Sequence, residues 1–187
     1  MKTSRRSTKA ALLGAALSAL MMAPALAQPK NPERNVYYGE QHLHTSWSFD
    51  AYAFGDRLTG PEQFYQYALG QPTLHPGGYK VQITKPLDWG AVTEHSEYMG
   101  MVQESMDPNS PLRRTAPIVA RIFEAGIRMD GLRAFEVLTL LIAKGHPVKE
   151  MTTPEVVAPV WKRMVEIADK YYKPGKLTTF AAYEWTS

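Results

Sequence analysis

Residues 39–50 read GEQHLHTSWSFD, and His42 and His44 stand one residue apart in a chain with only five histidines. In an extended segment residues i and i+2 point to the same face, so the two imidazoles project together and Leu43 points away. Adjacent imidazoles either repel one another as cations or share one cation between them. Two later stretches favour sharing. LDWGAVT runs into Glu94-His95, and LTTFAAYEW carries Glu184. If each stretch is a strand and the strands lie parallel, their ends bring three imidazoles and a carboxylate together.

Each residue also has a plainer reading. A lone His-x-His is common on surface strands, Glu184 can be half of an ion pair, and His95 can be a hydrogen-bonded core residue. The joint placement at three strand ends is harder to explain that way. Polar groups gathered in one buried place are costly without a cation or paired partners. The chain has no Cys, which removes thiolate chemistry and disulfides. A metal here would rest on His, Asp, Glu and water, which suits Zn, Mn, Fe or Mg.

The elements that must position these groups are legible in outline. NVYY, 35–38, begins a β-favouring run into the histidines. PEQFYQYAL reads as a helix with Pro61 at its first position, Gly70 at its exit and an aromatic stripe of Phe64 and Tyr67. YKVQIT alternates as a strand. LDWGAVT reads as a buried strand. Three prolines make 105–117 loop-like, and a helical stretch from 118 to 144 has Gly126 and Gly131 as breaks. A second helix runs from Thr153 to about Tyr172, with Val156, Val157, Val160, Met164, Val165 and Ala168 as its apolar face. The order is of the β/α kind. No helix follows the last strand, which suggests a fragment of a longer chain.

Residues 1–27 do not belong to that fold. Lys2, Arg5, Arg6 and Lys9 precede an apolar run, and Ala25-Leu26-Ala27 offers a small-x-small cleavage site. This is the pattern of a secretory signal peptide cut after Ala27. The apolar run is short for a membrane span, so no stable span is expected after cleavage. Arg5-Arg6 leaves general and twin-arginine export both open. The expected location is periplasmic or secreted. The polar segment 28–34 reads as a linker, and 35–187 as the folded domain. Removing the signal takes four positive charges and lowers the formal charge from +3 to −1. The mature surface therefore gives no reason to expect nucleic acid.

GEQHLHTSWSFDA followed by DWGAVTEHSEYMG resembles the first two motifs of the polymerase-and-histidinol-phosphatase (PHP) superfamily, which read Asp-Leu-His-x-His-Thr and Thr-Asp-His. The resemblance is nearest to a bacterial, often exported branch labelled as a domain of unknown function. It implies an α/β fold, the N-terminal portion of an irregular (β/α) barrel of PHP type. It also implies a two- or three-metal centre in which His42, His44, Asp50, His95 and Glu184 are ligands. Asp50 stands where the superfamily often has a His or Asp ligand, and Glu184 where it has a bridging carboxylate. Glu40-Gln41 replaces Asp-Leu, and Glu94 replaces Asp. Glu94 is expected to support a histidine by hydrogen bonding rather than to ligate. The superfamily's later ligands have no counterpart in this sequence.

The function implied is hydrolysis of a small-molecule ester, most plausibly a phosphate ester. A water activated by Mn, Zn or Fe would be the nucleophile. No protein nucleophile is assigned. Ser46 and Ser48 stand near the site but lack a His-Asp partner pattern, and read as hydroxyl packing or substrate contact. Glu97 reads as a surface carboxylate, with proton transfer or substrate binding as the alternative. His75 and His146 read as structural or exposed. Two other readings stand beside it: an exported metal- or ligand-binding domain without turnover, and a truncated, inactive remnant.

Overall fold

Trp89–Val92 is the strand around which the sheet is built, and we label it β4. It pairs in parallel with β1 (Gly39–Glu40) on one side and β5 (Thr178–Ala181) on the other. The computed structural model describes residues 35–185. The expected signal peptide and linker lie outside the described residues. The chain divides into two units, Met1–Val36 and Tyr37–Ser187, and every element below belongs to the second.

Between β1 and β4 lie two helices, α1 (Phe49–Ala53) and α2 (Pro61–Ala68), and a small antiparallel hairpin, β2 (Thr73–Leu74) with β3 (Lys80–Val81). Between β4 and β5 come α3 (Met101–Met106), α4 (Pro111–Thr115), α5 (Pro117–Ala143), a 3₁₀ turn (Lys149–Met151) and α6 (Pro154–Tyr171). The result is a mixed α/β fold. Among the described residues the sheet has three strands and is not a closed barrel.

Alternation along β4 gives the sheet two different faces. Gly90 looks toward Phe64 of α2, and Val92, of the same parity, is fully buried. Trp89, Ala91 and Thr93 line the opposite face, with Phe180 and Ala182 beside them, around an open groove of about 960 Å³. Residues of one parity share a face, so His95 and Glu184, two or four positions beyond these, fall on the open side. Thr179 confirms the phase of β5, since its hydroxyl donates to the Ala168 carbonyl of α6 at 2.7 Å.

The helices cover the closed face. In α6, Val156, Val160, Met164, Ile167, Ala168 and Tyr171 are buried, at the three- and four-residue spacing of one helical face. Val157 and Val165 are only half-buried. On α2 the buried stripe is Phe64, Tyr65 and Ala68, with Tyr67 half-buried. Tyr65 stacks on Tyr171 at 5.8 Å, and its hydroxyl donates to the Phe180 carbonyl at 3.2 Å. One aromatic residue thus ties α2, α6 and β5 together.

Three expectations need correction. Residues 105–117 are not a loop. Pro111 and Pro117 open α4 and α5, because proline suits a first helical turn, where its missing N–H has no partner to lose. Ser110 caps α4 by accepting from the Arg113 N–H at 3.0 Å. The YKVQIT strand shrinks to two residues, and β1 begins only at Gly39. In α5 the break falls at Asp130, whose backbone is extended (φ −155°, ψ 91°), while Gly126 stays helical. Asp130 accepts from the Arg133 N–H at 2.9 Å and so caps the second limb. The limbs approach closely: a Cβ on Gly126 would lie 3.9 Å from that of Ala134.

The closed face has no room at Gly90, where an added Cβ would come within 2.8 Å of the Phe64 ring. Gly90→Ala is therefore expected to lower stability by about 1–3 kcal/mol in urea denaturation. Gly126→Ala, which adds an ordinary contact inside a helix, is expected to raise it by up to about 1 kcal/mol.

Candidate metal centre

His42 and His44 follow β1 directly, and the loop that holds them is fastened to β4. Leu43 accepts from the Thr93 N–H at 2.9 Å, and its own N–H donates to the Thr93 hydroxyl at 2.9 Å. Leu43 packs toward the core, as the i, i+2 argument requires. The two imidazoles lie on one side, with ring centroids 5.3 Å apart. His42 is exposed, whereas only 14% of the His44 side chain is accessible.

Past the ends of β4 and β5, the parallel pairing continues as an isolated bridge between His95 and Glu184. The Glu184 N–H donates to the Glu94 carbonyl, and the Ser96 N–H to the Glu184 carbonyl, each at 2.9 Å. The His95 ring meets the His44 ring edge-on at 4.6 Å. Asp50, from the first turn of α1, completes the group: its carboxylate is 3.0 Å from His44 Nδ1 and 3.4 Å from His95 Nε2. All five residues expected as ligands therefore lie together.

They form two overlapping sets, His42–His44–Glu184 and His44–Asp50–His95, each with its ligand atoms within 4.8 Å of one another. Two donors bound at 2.0–2.2 Å to one tetrahedral cation are about 3.3–3.6 Å apart. The His42–Glu184 separation of 3.5 Å and the His95–Asp50 separation of 3.4 Å match that spacing. The His44 Nε2–Glu184 contact, at 2.5 Å, is a short hydrogen bond and must open by about 1 Å to admit an ion. The donors are nitrogen and carboxylate oxygen only, a set suited to borderline and hard divalent cations.

His44 belongs to both sets. A neutral imidazole has one N–H and one free nitrogen. When Nε2 ligates beside His42 and Glu184, Nδ1–H donates to Asp50, which then fixes the tautomer. When Nδ1 ligates beside Asp50 and His95, Nε2–H donates to Glu184. Either arrangement is a carboxylate–histidine–metal relay.

Glu94 supports this arrangement from beneath. It is fully buried, and its carboxylate accepts from the Thr45 N–H at 2.9 Å, the Thr45 hydroxyl and the Ser48 hydroxyl. The Ser48 oxygen in turn accepts from the His95 N–H at 2.9 Å. Glu94 thus holds the histidine-bearing backbones through the 45–48 loop. Burial pushes its carboxyl above the usual range, although the bonds from Thr45 and Ser48 work against that.

Thr45 is the residue that sequence reasoning missed as part of the site, whereas Ser48, expected near the site in a packing role, bonds Glu94 and the His95 N–H. The hydroxyl run T-S-W-S was the signal. Ser48 is fully buried, and Ser46 holds Gln103 through its carbonyl, which accepts from Nε2 at 2.8 Å. Glu97 is half-buried and lines a cavity with His95. His75 is in neither ligand set; it stacks on Tyr79 in the β2–β3 turn and lines a cavity with His44, and His146 is exposed after α5.

A parallel α/β sheet with a histidine–carboxylate cluster at its strand ends defines the class of site: a candidate divalent-metal centre. Residues 31–187 match the model of the family described as "Protein of unknown function (DUF3604)", and the chain belongs to that family. No curated protein and no solved structure matches it.

The cluster's charges make its stability depend on pH. The hydrogen bond that the ring donates to Asp50 raises the His44 pKa above 6.5 despite burial, and the same acceptor raises His95. Burial acts to raise Asp50, but hydrogen bonds from both histidines outweigh it and hold the carboxyl far below its ordinary 3.8. The Asp50 contribution is present above pH 3.8 and fades as pH falls through its lowered value. The histidine contribution is present below pH 6.5 and fades as pH rises through the raised values. Metal-free protein is therefore expected to melt at a higher temperature near pH 5.5 than near pH 8.5, and Asp50→Asn should shrink that difference. Metal affinity should run the other way, rising with pH as the imidazoles lose their protons. Calorimetry at both pH values, with and without added metal, checks both signs.

Proposed function

We propose that this chain is the metal-binding portion of an exported, metal-dependent hydrolase of PHP type that acts on esters, with phosphate esters the leading class. The observation that carries the reading is the meeting of His42, His44, Asp50, His95 and Glu184 at parallel strand ends, in two sets with the spacing of metal ligands. The resemblance of the His42–Asp50 and Asp88–Gly100 stretches to the first two PHP motifs supports it. In this reading the sheet is an arc of an irregular β/α barrel whose interior is the open groove beside Trp89 and Phe180. The basic and apolar N-terminal pattern supports export.

Mn, Zn or Fe would be held by one set or the other, as His44 ligates through Nε2 or Nδ1, and would supply Lewis acidity to a phosphoryl group and to an attacking water. The residues do the rest. Asp50 and Glu184 each orient His44 from one side, according to which ring nitrogen ligates. Glu94 keeps the 45–48 loop in place, so the imidazoles do not have to be ordered when substrate arrives. Exposed His42 marks the side open to solvent and to substrate. Glu97, which lines a cavity with His95, would be the candidate for proton exchange with the leaving group.

The test compares metal content and hydrolysis of p-nitrophenyl phosphate and its diester between the wild type and His42→Ala/His44→Ala. The wild type should retain Mn, Zn or Fe. The double variant should lose at least half of the metal and at least about 100-fold in rate, since loss of an outer-shell partner alone costs about 10–100-fold. Equal metal content in the two proteins removes the reading. Metal retained without turnover of phosphate, sulfate or carboxylate esters would leave a metal-binding domain rather than an enzyme.

A further inference from the structure

A cavity of about 360 Å³ adjoins the metal cluster and shares His95 with it. Its walls are Phe49 from α1, Tyr98 from the segment after β4, and Phe135, Leu138 and Ile142 from the second limb of α5. His95, Glu97 and Thr139 bring polar side chains to it, and the Tyr98 hydroxyl is engaged by the Val148 N–H. The kink at Asp130 builds the far wall. It turns the second limb back so that Phe49 touches both Phe123, at 5.4 Å, and Phe135, at 5.9 Å. On the near side Tyr98 is buried and held at positive φ (59°), and its hydroxyl accepts from the Val148 N–H at 2.7 Å. The chain thus accepts an unfavourable backbone conformation in the wall of this cavity.

Resting on the metal-hydrolase reading, we propose that the substrate carries an apolar, ring-sized group that seats in this cavity while its ester group meets the metal cluster. Size permits it. An apolar cavity of about 150 Å³ lined by Leu, Ile and Phe already takes benzene, and small-molecule sites begin at about 300 Å³. Charge selects for it. No Lys or Arg lines the cavity, and Glu97 puts a carboxylate at its polar end. A nucleotide or sugar bisphosphate would bring a second anion with no cation to receive it. An aryl or arylalkyl ester brings one anionic group for the metal and buries its ring against Phe49, Phe135 and Leu138. The specificity determinants are then on α5, far along the chain from the ligands.

The experiment measures phenylphosphonate and methylphosphonate binding to the metal-loaded protein by titration calorimetry, with metal content determined on the same samples. Phenylphosphonate should bind at least tenfold more tightly than methylphosphonate. Thr139→Trp, at an exposed position on the cavity rim, should fill the space and bring the ratio to about one with metal content unchanged. Ile142→Ala should weaken phenylphosphonate alone. Equal affinities in a wild type that retains its metal overturn the cavity's role and leave the hydrolase reading standing, as does a preference that survives Thr139→Trp. A wild type that retains no metal and binds neither phosphonate overturns both.

Discussion

Hydrogen bonds from β4 to β1 on one side and β5 on the other, all in parallel, decide where the histidines and Glu184 of the cluster lie. Parallel pairing puts the C-terminal ends of three strands at one rim, and the pleat sends alternate residues to one face. His95 and Glu184 become neighbours through this register alone, since each follows directly from the Trp89–Thr178 alignment. The histidines after β1 join them because Leu43 and Thr93 extend the pairing past the two-residue strand. A slip of one residue in either pairing would turn a ligand toward the helices.

The closed face pins that register. Gly90 leaves space for the Phe64 ring, Val92 is fully buried, and Tyr65 ties α2 and α6 to β5. Glu94 extends the closed face into the rim. A carboxylate with no solvent contact is stable there only because Thr45 and Ser48 donate to it. Those two residues bracket the turn that delivers Asp50. Core packing and metal-site geometry are thus parts of one network, joined at Glu94.

Much of this was legible in the sequence, for identifiable reasons. The ends of the buried strands carried His95 and Glu184, and a parallel arrangement of β/α type predicts that such ends meet. The period-3.6 pattern in 153–172 gave α6 nearly residue for residue. Other features were hidden by competing signals. Pro111 and Pro117 read as breakers because local sequence does not tell a proline that ends a helix from one that opens it. Tyr65 outranked Tyr67 in the core because packing against Tyr171 is a tertiary fact. The double role of His44 depends on which groups face its two nitrogens, and spacing along the chain does not encode that. The cavity wall on α5 was out of reach for the same reason. It exists because the chain folds back at Asp130, where Gly131 was the only hint.

The most direct test of the account is anomalous diffraction from crystals of the protein soaked in Mn²⁺ and, separately, Zn²⁺. The account predicts a metal peak bounded by His44 and at least two of His42, Asp50, His95 and Glu184, within about 2.0–2.3 Å of their ligand atoms. No peak at this cluster in crystals soaked at saturating metal, or a peak at other residues only, would contradict it.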